Sequence, residues 1–70
     1  MMYPTANQEA RFAALLTDEG IVGRAWMLLE PYIVLDRNLY RDERDETIAM
    51  FRSVSEVVAD EILEELETKR

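Results

Sequence analysis

Seventy residues, 49 % of them hydrophobic and 33 % charged with a formal net charge of −7, are enough for one domain and too few to bury a large core unaided. The chain has no cysteine and no histidine, which excludes disulfides, thiolate chemistry, the commonest general base and the commonest metal ligand. Oligomerisation is the remaining device for stabilising so short a chain, and the expected fold is all-α: a small three-helix bundle, dimeric, with a kinked central helix and a long C-terminal helix.

Residues 1–4 read as a loose N-terminus. No basic stretch followed by an apolar run is visible there, so no signal peptide is expected, and the cysteine-free composition fits a reducing, cytoplasmic location. Thr5 and Gln8 have capping-box spacing and open a helix over about 5–16. Ala6, Ala10, Phe12, Ala13 and Leu16 share one face of it, and the alanines predict close packing against the next helix.

Thr17 to Gly20 is the first break, with Thr17 as the expected N-cap and Asp18 and Glu19 placed where the helix dipole favours negative charge. The second helix is expected over about 18–40. From Ile21 to Leu35 the only charges are Arg24 and Glu30. At 100° per residue, Val22, Ala25, Trp26, Leu29, Tyr32 and Ile33 fall within about 20° to 140° of Ile21. Met27 and Val34 form a second apolar line, so this helix is expected to be covered on more than one side. Trp26 is the predicted core anchor, and Met27 and Val34 are predicted to join a self-association interface. Gly23 predicts close approach of the first helix. A bilayer span needs roughly 20 predominantly apolar residues, more than this stretch offers, so no membrane segment is expected. Pro31 either kinks one helix or begins another; the apolar spacing keeps its phase across it, which favours the kink.

Asp36 to Glu46 carries eight charges in eleven residues and reads as a solvated turn, with Asp42 or Asp45 as the next N-cap. Arg37, Arg41 and Arg44 are there either to pair with local acids or to form a small basic patch. The third helix is expected over about 43–68. Ile48, Phe51, Ser55, Val58, Ile62 and Leu66 share a face, and Met50, Val54 and Val57 widen it into the self-association interface. At ~23–26 residues this helix would be roughly 35–39 Å long. A compact chain of this size has a diameter of roughly 28 Å, so the helix should overhang its own domain and need a partner.

Residues 42–67 hold ten acids against Arg44 and Arg52. Glu56, Asp60 and Glu64 recur at one-turn spacing, with Glu67 beyond them. Like charges at i,i+4 oppose helix formation, so their presence points to a role for the negative surface. The expected function is a non-enzymatic interaction module, a small regulator or inhibitor, whose acidic face (Glu56, Asp60, Glu64, Glu67) binds a basic protein such as one that itself binds nucleic acid. Direct binding to nucleic acid or to an anionic membrane is disfavoured by charge. Two alternatives are a structural homo-oligomeric assembly subunit and a carboxylate-metal hydrolase. The latter has little to build on, because di-metal bundle sites pair carboxylates with histidine. Ser53 and Ser55 have no base to activate them. No catalytic, cofactor-binding or metal residue is assigned. In composition alone the chain resembles antitoxins, small enzyme inhibitors, regulators and assembly adaptors.

Overall fold

The predicted capping box forms. In the computed structural model, which describes residues 2–68 and leaves out the side chain of Arg37, Thr5 Oγ1 accepts from the Gln8 amide at 3.2 Å while Gln8 Oε1 accepts from the Thr5 amide at 2.9 Å. These bonds satisfy donors that the first turn of a helix leaves open. They start α1 (Ala6–Leu15), which is followed by α2 (Glu19–Leu29), a 3₁₀ turn over Arg37–Leu39, α3 (Glu43–Ser53) and α4 (Glu56–Thr68). Among the described residues the fold is all-helical, with four α-helices and no strand.

The face of α1 differs from the expected one. Gln8, Phe12, Leu15 and the capping residue Leu16 are buried, whereas Ala6, Ala10 and Ala13 lie at the surface. Phe12 and Leu15 have more apolar area to remove from water than the alanines, and that decides the orientation. As a result α1 packs against α4 and α3. A Cβ placed on Gly23 would meet nothing within 4 Å, so the predicted close packing of α1 over Gly23 does not occur. The N-terminal arm is anchored as well: the carbonyl of Met2 accepts from the Glu56 amide at 2.7 Å, an orphan donor of the first turn of α4.

The central helix ends at Leu29, where a kinked helix to residue 40 was expected. Pro31 has no N–H for the Met27 carbonyl, so the ladder stops. The amides of Tyr32 and Ile33 both turn back to the Leu29 carbonyl, at 2.9 and 3.2 Å, and residues 33–36 leave the helix altogether. At the other end Asp18, and not Thr17, is the cap: its Oδ1 accepts from the Gly20 amide at 2.9 Å. Thr17 Oγ1 instead donates to the Ala14 carbonyl at 2.8 Å.

The long C-terminal helix is two helices. Val54 is extended (φ −89°, ψ 171°), and Ser55 begins again. Its Oγ accepts from the Val58 amide at 3.2 Å, and its carbonyl accepts from Ala59 at 2.8 Å. Asp42 caps α3 by accepting from the Asp45 amide at 2.9 Å. With 13 residues, α4 is about 20 Å long. The molecule extends 29 × 28 × 21 Å, so no helix overhangs it, and the length argument for a dimer falls away.

The break also changes phase. Glu46, Thr47, Met50 and Phe51 of α3 turn inward together with Val54, while α4 buries Ala59, Ile62, Leu63 and Leu66. These meet Phe12, Leu15, Leu16, Ile21, Ala25 and Leu29 in one core. Phe12 and Phe51 stack at its centre, with ring centroids 4.0 Å apart and planes within 7°. Such a pair contributes about 0.5–1.5 kcal/mol beyond its buried area.

Candidate protein-interaction site

The acidic face lies on α4. Asp60, Glu61 and Glu64 are exposed there, and Glu56 is half-buried at its start. Glu56 is fixed by its backbone: the amide donates to Met2, and the carbonyl accepts from Gln8 Nε2 at 3.2 Å. Gln8, Glu56, Val57, Asp60 and Glu61 line a depression beside the N-terminal arm. Val57, 69 % exposed, is the apolar side chain on this face.

Glu67 has a different role from its neighbours. Arg11 of α1 grips it with two nitrogens, Nη2 to Oε1 at 2.5 Å and Nε to Oε2 at 3.3 Å. The hydrogen bond to Glu67 raises the pKa of the Arg11 guanidinium; partial burial opposes this, and the charges of Glu67 and Asp60 add to the rise. Arg52 of α3 reaches Glu9 of α1 at 2.7 Å. Both arginines therefore tie α1 to the helices beneath it, and Arg11 adds positive charge beside the acidic row. Neither contact was legible from spacing, because the partners lie 56 and 43 residues apart.

Arg41 and Arg44 of the charged turn are each engaged within the chain. Arg44 Nε donates to the Leu16 carbonyl at 3.0 Å, and Arg41 lies 4.0 Å from Asp45. The side chain of Arg37 lies outside the described set.

The predicted self-association residues are separated. Met27 and Val34 are 70 % and 87 % exposed, and Val57 is exposed on α4. Met50 and Val54, by contrast, are 2 % and 5 % exposed and belong to the chain's own core. A single helix would have aligned them with Val57; the break at residue 54 turns them inward.

A groove of about 390 Å³ lies between the end of α2, the segment after it, and α3. Its walls include Trp26, Ile33, Leu35 and Met50, with Glu30 at the rim and Glu46 within. Trp26 is only half-buried and packs onto the core rather than anchoring it. Its indole Nε1 donates to Glu46 Oε1. Glu46, placed by the sequence in a solvated turn, is buried. The overlooked signal is its spacing, one and two turns before Met50 and Val54.

Among the described residues, no group of three or more carboxylates is placed to hold a metal ion, and no helix is long and apolar enough to cross a membrane. No protein-family model, no curated protein and no solved structure matches this chain.

Proposed function

We propose that this chain is a non-enzymatic interaction module, a small regulator or inhibitor that contacts a basic protein through the acidic face of α4. The observation that carries this reading is the row of exposed carboxylates Asp60, Glu61 and Glu64 beside the depression at Glu56 and Val57. Repulsion between Asp60 and Glu64 opposes the helix that holds them, and the attraction of Asp60 to Arg11 offsets it only in part, so folding is a weak reason for the row. A partner bearing lysines and arginines is a stronger one, and a nucleic-acid-binding protein has such a surface. Charge of this kind acts chiefly on the association rate and on partner choice. The absence of cysteine supports a cytoplasmic setting. The test is capture of a basic protein from native extract, repeated at raised salt and with Glu56, Asp60 and Glu64 all changed to Gln. Loss of capture under both conditions supports the reading; capture indifferent to both overturns it.

A second reading, a homo-oligomeric assembly subunit, is favoured by the exposed Met27, Tyr32, Val34 and Leu39. Light scattering decides it: a species of 8.2 kDa at micromolar concentration excludes this reading.

A further inference from the structure

We propose that the groove between α2 and α3 is a second binding site, which takes a short protein segment carrying a large apolar side chain next to a lysine or arginine. This goes beyond the reading of the α4 face and does not depend on it.

The apolar half of the argument is the lining. Trp26, Ile33, Leu35 and Met50 leave a groove of about 390 Å³, within the range of roughly 300–1,000 Å³ typical of ligand clefts. Tryptophan is enriched where interfaces concentrate their affinity. Val34 stands on the rim with 87 % of its surface in water, so an entering apolar side chain gains a contact that the folded chain does not provide.

The charged half comes from the end of α2. Glu30 is its C-cap and is exposed, and the last turn of the helix contains no base. A helix C-terminus carries the equivalent of about half a negative charge, and a carboxylate there adds to it. Pro31 leaves the Met27 carbonyl without its i+4 donor, and the Tyr32 amide goes to Leu29 instead of Leu28. The Glu30 carboxylate and the negative end of the α2 dipole therefore stand at one rim of an apolar groove. A cation held there suits both, and an anion is repelled. The chain's overall charge of −7 draws the same class of partner.

The sole tryptophan lies in the groove wall and reports occupancy. The probe is the capped peptide Lys-Leu-Lys, titrated at millimolar concentration while Trp26 emission is followed. Glu-Leu-Glu and Lys-Ser-Lys serve as comparisons. Lys-Leu-Lys is expected to give a saturable change, with both comparisons weaker by about tenfold or more. Glu30→Gln and Val34→Arg alter exposed positions, and unchanged thermal melts show that each variant is folded. Each should weaken Lys-Leu-Lys binding several-fold, whereas the Gln triple variant of α4 should leave it as it was. Equal binding of Lys-Leu-Lys and Lys-Ser-Lys, indifference to both groove variants, or no saturable change would each overturn the proposal. All three results leave the α4 reading standing, because that reading is tested on a different face by different variants.

Discussion

The indole of Trp26 and the carboxylate of Glu46, twenty residues apart, share a hydrogen bond at the junction of α2 and α3. Glu46 is 2 % exposed, and Trp26 covers it from the side of the groove. A buried donor or acceptor that loses its partner costs about 1–3 kcal/mol. Trp26→Phe, which takes this donor from the buried carboxylate, should therefore destabilise by about that amount or more, and Glu46→Ala, which removes the buried charge and leaves the half-buried indole N–H at the groove, should cost less. Because the two side chains touch, the double variant should fall short of the sum by about 0.5 kcal/mol or more. Urea unfolding of the four proteins measures this; strict additivity would mean that the bond contributes nothing to folding.

Gly23 offers a gain. It lies inside α2 with open space where a Cβ would go. Glycine within a helix is less favourable than alanine by about 0.8–1.0 kcal/mol. Gly23→Ala should stabilise by close to that amount and raise the thermal midpoint. Gly20→Ala should gain less, since its Cβ would come within 3.3 Å of the capping Asp18 Oδ1. Equal gains at both sites would show that the Asp18 contact does not matter.

The break between α3 and α4 depends on Ser55. Its hydroxyl accepts from the Val58 amide at 3.2 Å. Replacing an N-cap serine with alanine costs about 0.5–2 kcal/mol. Ser55→Ala should lose that much while keeping its helix content, because Met50 and Val54 still require the turn to reach the core. A rise in helicity by circular dichroism would mean that the two helices had fused, and it would restore the long helix that the apolar periodicity implies.

Where sequence reasoning succeeded, the deciding forces were local. Thr5 with Gln8 and Asp42 with the Asp45 amide are caps complete within three residues, so spacing alone displays them. Where it failed, tertiary packing overrode periodicity. Ile48, Phe51, Ser55, Val58 and Ile62 can be laid on one helical face, and nothing in that pattern records that Val54 is better buried if the chain turns. The phase kept across Pro31 misled in the same way: apolar residues after Leu29 serve a groove wall instead of a helix face. The charged turn hid Glu46, because composition ranks a carboxylate among eight charges as solvated. The acidic row of α4 was legible, but the assignment of Glu67 to Arg11 was not, since the two meet only after α1 has been laid on α4.

That difference within the acidic row gives the last prediction. Asp60 and Glu64 are exposed and repel each other along α4, whereas Glu67 is held by two nitrogens of Arg11. Changing Glu56, Asp60 and Glu64 to Gln removes two like-charge i,i+4 pairs, each opposing an isolated helix by about 0.2–0.5 kcal/mol. The fold should stay intact or gain slightly, less the attraction lost between Asp60 and Arg11. Glu67→Gln should do the opposite, loosening α1 from α4 by a small, salt-sensitive amount. Thermal melts at low and high salt separate the two. Added salt should narrow both differences from the parent, from opposite directions. If the triple variant is instead markedly destabilised at low salt, these carboxylates support the fold, and the case that they serve a basic partner loses its physical basis.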